Sequence, residues 1–199
     1  MLQKAIAFFD FDGTITNKDT MLALATFSKG KAGFLLGMIK LSPSLVALKL
    51  NLLSAQKAKQ LFLKYFFGGM DIAGFQHLCE TFCAEMLPAL IRKDAWNAIE
   101  KHRLNGDTIM VVSASAENWI APWCHKHNIP YLGTRLQIEN NIVTGNIEGL
   151  NCNGKEKVSR IKEIFNLADY ENIYAYGDSS GDEAMLAIAT QPGFRVFVD

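Results

Sequence analysis

Two carboxylates stand close together near the start of the sequence, directly after an apolar run. Asp10 and Asp12 are two residues apart and are followed by Gly13 and Thr14. A carboxylate can attack phosphorus when a cation neutralises the phosphate. A second carboxylate beside it can act as general acid for the leaving oxygen and as general base for water. The alternative interpretation is an ordinary loop with a helix cap.

A second pair of carboxylates, Asp178 and Asp182, lies four residues apart after another apolar run. At this spacing the two side chains can face one metal ion from the first turn of a helix. Hard oxygen ligands favour Mg²⁺, so we expect magnesium as the cofactor. The alternative is that Asp178 or Asp182 serves only as the N-cap of a helix.

Groups that could bind an anion occur at two further points of the sequence. The hydroxyl of Ser113, with the amides of Ala114 and Ser115 at the start of a predicted helix, would form an anion site. Lys155 and Lys157 open a helical pattern, and one of them would supply positive charge to phosphate oxygens. Taken alone, a serine cap and a solvated lysine are the more frequent interpretations. The combination of four such groups in one chain favours a shared site.

The elements that must position these groups alternate along the chain. Apolar runs predict strands, and periodic patterns predict helices, with strands at 4–9, 107–112, 172–176 and 194–198 and helices at 94–103, 158–165 and 184–189. Alternating strands and helices form a parallel sheet, and ligands bind beyond the carboxyl ends of its strands. We therefore predict an α/β fold with a doubly wound Rossmann-like parallel sheet.

A long insert separates the first two predicted strands, and it exceeds what one crossover needs. It reads as helical, with helices at 20–28, 31–53, 55–67 and 72–85 and breaks at Gly30, Ser42-Pro43 and 68–69. We interpret residues 19–88 as a helical cap domain over the site and assign 1–18 and 89–199 to the catalytic core. Within that core, residues 135–144 alternate around Asn140-Asn141 and predict a β-hairpin.

The four motifs together resemble those of the haloacid dehalogenase superfamily of phosphatases. The matching residues span 8–182 and are Asp10-Phe-Asp-Gly-Thr14, Ser113, a lysine at 155 or 157, and Gly177-Asp-Ser-Ser-Gly-Asp182. The helical insert resembles the C1 cap of subfamily IB, the phosphoserine-phosphatase-like group. The resemblance implies a magnesium-dependent phosphomonoester hydrolase that forms an aspartyl-phosphate intermediate.

The resemblance also implies a role for each acidic residue of the site. Asp10 would be the nucleophile and a metal ligand. Asp12 would be the general acid and base, with its backbone carbonyl on Mg²⁺. Asp178 would ligate Mg²⁺ directly, and Asp182 would ligate it or orient its waters.

The same resemblance assigns the phosphate to Ser113, Ala114 and one lysine. Lys157 matches the Gly-x-x-Lys-Val form of a lipid-phosphatase-like branch, whereas Lys155 matches the spacing in phosphoserine phosphatases. We favour Lys157 and keep Lys155 as the alternative.

The expected substrate is a small phosphorylated metabolite or a phospholipid head group. Asp19 falls where phosphoserine phosphatases carry an acidic residue for the substrate amine, but no arginine precedes Arg92 to bind the substrate carboxylate. Lys57, Lys59 or Lys64 would substitute without the forked geometry. Phosphoserine phosphatase proper is therefore an alternative. A non-enzymatic receiver-like module that carries a phospho-aspartate is the alternative from another class.

The composition of the chain limits the classes of binding partner and the cellular compartment that we expect. The chain has 20 basic and 20 acidic residues among 199, which argues against a nucleic-acid partner. The four cysteines lack the spacing of a zinc site and fit free thiols in a reducing cytoplasm. Residues 1–9 read as a core strand rather than a secretory signal. We expect a cytoplasmic protein.

One apolar stretch, 33–53, leaves two interpretations open. It is interrupted by Lys40, Pro43 and Lys49, so it makes a poor membrane-spanning helix. We favour two cap helices that pack on each other. The alternative is a pair of interfacial helices that gives peripheral membrane contact.

Overall fold

A central sheet of five parallel strands organises the chain. The computed structural model describes residues 3–198, so residues 1, 2 and 199, at the outer ends of the predicted core, lie outside the described part. The sheet has the order β3-β2-β1-β6-β7, with β1 Gln3–Phe9, β2 Thr108–Ala116, β3 Tyr131–Thr134, β6 Tyr170–Gly177 and β7 Gln191–Phe194. The α/β fold with a parallel Rossmann-like sheet is therefore confirmed.

Helices cover both faces of this sheet. They are α1 Thr20–Lys49, α2 Ala55–Phe66, α3 Ile72–Glu85, α4 Lys93–Asn105, α5 Glu117–Lys126, α6 Lys155–Ile164 and α7 Glu183–Ala187. Successive side chains of a strand point to opposite faces. Phe9 accordingly belongs to a buried cluster with α1 to α5, whereas Phe8 belongs to a second cluster with Ile161 of α6 and Met185 of α7. The sheet is thus doubly wound.

The strands differ from the sequence prediction at the two edges of the sheet. Strand β3 was not predicted, and β2 extends to Ala116 because it pairs with Thr134 of β3. The predicted strand at 194–198 is wrong, since the edge strand is Gln191–Phe194. Arg195 ends this strand, because its φ of 52° is left-handed rather than extended.

Helix α1 is one helix with a kink where two helices were predicted. The break at Gly30 is confirmed by its φ of 68° and ψ of 167°. The break predicted at Ser42-Pro43 is wrong, because the helix continues through Pro43. Proline cannot donate to the carbonyl four residues earlier, which is that of Ile39. The hydroxyl of Ser42 donates to this carbonyl instead, at 2.7 Å.

The interpretation of 33–53 as two helices that bury each other's apolar side chains is also wrong. Only the inner face of α1 is packed: a Cβ on Gly37 would lie 2.4 Å from the ring of Phe66 on α2. The opposite face is open, and Leu35, Ile39 and Leu50 are each 60% exposed or more. By length and composition alone, α1 could cross a membrane. Of its most apolar 18-residue segment, 6% is buried in the structure.

The predicted hairpin is confirmed, and it packs against the helical insert. Strands β4 Leu136–Glu139 and β5 Ile142–Ile147 join through Asn140 and Asn141, whose φ values are 49° and 62°. The Ile72 amide donates to the Asn141 carbonyl at 2.8 Å, and the Val143 amide donates to the Met70 carbonyl at 2.8 Å. The division of the chain at 19 and 88 stays a prediction, and these contacts tie the two segments together.

The close approach of β5 to α2 can be tested at one glycine. A Cβ on Gly145 would lie 2.3 Å from the Lys64 Cα, and its φ is +81°. Gly149 has a similar φ of +72° with open space around it. We expect Gly149→Ala to lose about 1 kcal/mol of unfolding free energy from backbone strain, and Gly145→Ala to lose about 2 kcal/mol more from the clash. Urea denaturation measures both, and equal losses would contradict this packing.

Candidate active site

The predicted site residues meet in one cavity at the carboxyl ends of the central strands. This cavity has a volume of about 350 Å³. Eight of the predicted residues line it: Asp10, Asp12, Asp19, Ser113, Ala114, Lys157, Asp178 and Asp182. Lys155 does not line it and is exposed at the first position of α6.

The centre of the site is a buried lysine held between two carboxylates. Lys157 projects from α6, and its side chain is 1% exposed. Its Nζ donates to Asp10 Oδ1 at 2.6 Å, to Asp182 Oδ1 at 2.6 Å and to the Val112 carbonyl at 2.7 Å. The ammonium group therefore has an acceptor for each of its three protons.

The pKa values follow from this burial and this pairing. Burial alone would lower the pKa of Lys157, but Asp10 and Asp182 hold it above its ordinary value. Burial raises the pKa of Asp10 to about 7, although Lys157 opposes the rise. Burial also acts to raise the pKa of Asp182, yet Lys157 and the loop hydrogen bonds bring it below its ordinary value. Asp10 is thus the carboxyl that needs more positive charge to stay ionised.

The side chain of Asp12 is held by residues that sequence analysis missed. Its Oδ1 accepts from the Thr20 amide at 2.8 Å and from the Thr20 hydroxyl at 2.6 Å, and its Oδ2 accepts from the Ser115 hydroxyl. Trp119 Nε1 donates to Thr20 Oγ1 at 3.1 Å. Burial, followed by the charge of Asp19, raises the pKa of Asp12. The sequence did offer one indication of these contacts, because Ser115 stands two residues after Ser113 at the end of the same strand.

A cluster of three carboxylates is suited to a divalent cation. Asp10, Asp178 and Asp182 each offer an oxygen, and these oxygens lie within 4.8 Å of one another. A Cβ on Gly13 would lie 2.3 Å from Asp178 Oδ2, so glycine is required for this approach. Hard oxygen donors in this number fit Mg²⁺. Among the described residues, the carboxylate of Asp12 lies outside this cluster.

Asp182 also organises the loop that carries Asp178. Its Oδ2 accepts from the Asp178 amide at 3.2 Å, the Ser179 amide at 3.1 Å and the Ser179 hydroxyl at 2.9 Å. With Oδ1 on Lys157, both of its oxygens are already engaged. Asp182 therefore fixes Lys157 and the loop, and it is also one of the three carboxylates of the cluster.

The expected helix start at Ala114 and Ser115 is wrong. Both residues belong to β2, which continues to Ala116, and α5 begins at Glu117. The cause is the unpredicted strand β3, whose pairing keeps this segment extended. The Ser115 amide donates to Ser113 Oγ at 3.0 Å. Ser113 and Ala114 still line the cavity, but as the end of a strand.

The helical insert reaches the site at two places. Asp19 lines the cavity and caps α1, accepting from the Leu22 amide at 2.9 Å. Lys59 of α2 donates to the Ala114 carbonyl at 2.5 Å and to Asn151 Oδ1 at 2.8 Å. Burial lowers the pKa of Lys59 to about 8. Lys57 and Lys64, the other candidates for a substrate carboxylate, are exposed.

The charge of the cavity lining is unfavourable for a bare phosphate. Five aspartates and two lysines line it, so acidic groups prevail. A phosphate dianion would be repelled by them in a partly desolvated cavity. A bound divalent cation would offset most of this imbalance, because it is commonly the largest charge in such a site.

Several known proteins are similar in sequence to this chain. The family model for haloacid dehalogenase-like hydrolases matches residues 7–187. Protein CicA of Caulobacter vibrioides is 36% identical over 193 residues, covering 95% of this chain and 85% of that protein. "Probable phosphatase Rv3661" of Mycobacterium tuberculosis is 30% identical over 193 residues, covering 92% of this chain and 66% of that protein. The chain therefore belongs to the haloacid dehalogenase-like hydrolases.

Solved structures show the same fold. A protein with unknown function from Bordetella pertussis Tohama I superposes with a TM-score of 0.81 at 22% identity, covering 96% of this chain and 89% of that one. A phospho-aspartyl intermediate analogue of phosphoserine phosphatase gives a TM-score of 0.63 at 20% identity, covering 96% and 85%. At these identities the likeness concerns the fold alone, and it confirms the phosphoserine-phosphatase-like architecture.

The two lysines of α6 provide a matched test of the site. Lys157→Met leaves two buried carboxylates without their cation, and we expect a loss of about 3 to 5 kcal/mol in unfolding free energy. Lys155→Met, two residues away and exposed, should stay within about 0.5 kcal/mol of the wild type. Urea denaturation in EDTA measures both without interference from metal. Similar stabilities for the two variants would contradict the buried position of Lys157.

Proposed function

We propose that this protein is a magnesium-dependent phosphomonoester hydrolase that works through an aspartyl-phosphate on Asp10. The observation that carries the proposal is the position of Asp10 beside both Lys157 and the carboxylate cluster. Lys157 holds Oδ1, and within residues 3–198 no hydrogen bond engages Oδ2. Oδ2 is therefore the oxygen available for attack.

In the first half of the reaction, Asp10 Oδ2 attacks phosphorus and the bond from phosphorus to the ester oxygen breaks. Asp12 donates its proton to that departing oxygen. The raised pKa of Asp12, which is caused first by burial and then by the charge of Asp19, supports this role. The hydrogen bonds from Thr20 and Ser115 oppose the rise and fix the position of the carboxyl. The products of the step are an alcohol and a phosphorylated Asp10.

In the second half, water attacks the phosphorus of the aspartyl-phosphate. Asp12, now ionised, accepts the water proton, and the bond from phosphorus to Asp10 breaks. Inorganic phosphate leaves, and both aspartates return to their initial states. Lys157 and Ser113 face the same cavity and neutralise or hydrogen-bond the phosphoryl oxygens during the transfer.

Magnesium would be held by Asp10 and Asp178, with Asp182 beside them. When bound, Mg²⁺ supplies the charge neutralisation that lets a carboxylate approach a phosphate. The protein contributes the arrangement of the ligands, through Gly13 and the hydrogen bonds of Asp182.

The substrate proposed is a small phosphorylated metabolite, with a phospholipid head group as the second candidate. One relative is named a probable phosphatase, which supports a phosphate ester in general. Phosphoserine itself is disfavoured, because Lys59, the half-buried cap lysine that reaches the site, is already bonded to Ala114 and Asn151. The exposed apolar face of α1 favours the lipid candidate.

Hydrolysis of para-nitrophenyl phosphate tests the reaction class. We expect phosphate release with Mg²⁺, loss of release in EDTA, and at least about a thousandfold loss in Asp10→Asn, because the nucleophile is removed. Asp71→Asn is the matched control, since Asp71 caps α3 away from the cavity and asparagine also caps helices. A phosphorylated protein that releases no phosphate would instead indicate the receiver-like alternative.

The cation position is tested by Asp178→Asn. This change removes one charged ligand while the fold of the loop, which depends on Asp182, is kept. We expect the magnesium concentration for half-maximal activity to rise by about tenfold to a hundredfold or more. A magnesium titration of para-nitrophenyl phosphate hydrolysis measures it. An unchanged midpoint would place the cation away from Asp178.

A further inference from the structure

The outer face of α1 and its C-cap residue carry exposed apolar side chains that nothing in the described chain covers. Leu35, Ile39, Val46 and Leu50 follow one another at intervals of four, seven and four residues, which places them on one side of a helix. Their exposures are 61%, 60%, 57% and 62%. We call these four side chains the α1 stripe. Exposed apolar patches of this kind mark interaction sites.

Lysines border the α1 stripe on both sides. At about 100° per residue, Lys31 and Lys49 lie along one edge of the stripe. Lys40 lies farther round on the other side, with its Nζ 5.7 Å from the centroid of the Tyr65 ring of α2. All three are exposed, and within residues 3–198 none of them forms an ion pair. An apolar face flanked by lysines is the arrangement of a helix that lies in a membrane interface.

The charge of the surrounding segment is strongly one-sided. Residues 20–70 contain seven lysines and no aspartate, glutamate or arginine, in a chain whose formal net charge is zero. Of these lysines, Lys59 alone turns inward to the site, and the other six are exposed. The insert therefore presents a cationic and apolar surface, and an occupant that complements it must be anionic and apolar.

Two other occupants fit this surface less well. A second copy of the chain, paired through the same surface, would place lysine against lysine with no acid to neutralise them. A helix that spans a bilayer would place Lys40 and Pro43 in its middle, and the inner face of α1 is already packed on α2, with the Phe34 and Phe66 rings 5.7 Å apart. A helix fixed on one side by protein can lie on a bilayer but not cross it.

We propose that the α1 stripe and its bordering lysines dock this protein on the surface of an anionic lipid bilayer. The apolar side chains enter the boundary between head groups and acyl chains, and the lysines contact the anionic head groups. The inference does not depend on the proposed chemistry.

Vesicle sedimentation of the full chain tests the proposal. With vesicles of equal parts phosphatidylglycerol and phosphatidylcholine, we expect the wild type to sediment, and binding to pure phosphatidylcholine to be at least about tenfold weaker. The double variant Leu35→Glu/Ile39→Glu should bind at least about tenfold less. The triple variant Lys31→Gln/Lys40→Gln/Lys49→Gln should lose binding roughly a hundredfold. High salt should also weaken the binding of the wild type to anionic vesicles.

Leu104→Glu is the matched control, because Leu104 is 87% exposed on α4, away from the insert. It should bind vesicles like the wild type. Circular dichroism and hydrolysis of para-nitrophenyl phosphate show whether the stripe variants keep their fold and activity, which separates loss of docking from failure of the proposed function.

The proposal is overturned if the wild type stays in the supernatant with anionic vesicles. It is equally overturned if light scattering shows a dimer that Leu35→Glu/Ile39→Glu dissociates while vesicle binding is unaffected, or if the protein resists carbonate extraction from vesicles.

Discussion

The bonding of one buried ammonium group constrains the whole site. Lys157 Nζ joins the end of β1 through Asp10, the carbonyl of Val112 in β2, and the loop after β6 through Asp182. An unpaired charge in this position would be strongly destabilising, so the three segments must converge for the lysine to be buried at all. The parallel sheet achieves this, because the carboxyl ends of adjacent strands lie at one edge.

The same constraint links the helical insert to the chemistry. The oxygens of Asp12 are held by Thr20, the first residue of α1, and by Ser115 of β2. The two carboxyls of the Asp10 and Asp12 pair thus occupy different environments, one against a lysine and one against hydroxyls. Separate environments are what allow neighbouring carboxyls to take different roles.

The sequence predicted those site residues whose chemical type and whose position after a buried strand both indicate a role in the site. Asp10 and Asp178 stand directly after buried strands, so the sheet topology alone brings them together. The hydrogen bonds that Thr20 donates to Asp12 could not be predicted from the sequence. They depend on the angle at which α1 leaves the preceding loop. The exposed face of α1 was misjudged for a similar reason: apolar content is visible in a sequence, but which face packs on α2 depends on small residues such as Gly37. Strand β3 was missed because it is only four residues long.

Whether Asp10 carries the phosphoryl group during turnover can be measured directly. Enzyme quenched in acid during hydrolysis of a phosphomonoester, reduced with borohydride and digested, should contain homoserine at position 10 by mass spectrometry, since borohydride reduces acyl phosphates but not free carboxylates. Homoserine at position 10 that depends on both substrate and Mg²⁺ is the predicted result. Continued release of phosphate with position 10 unmodified, or with the modification on another aspartate, would contradict the account.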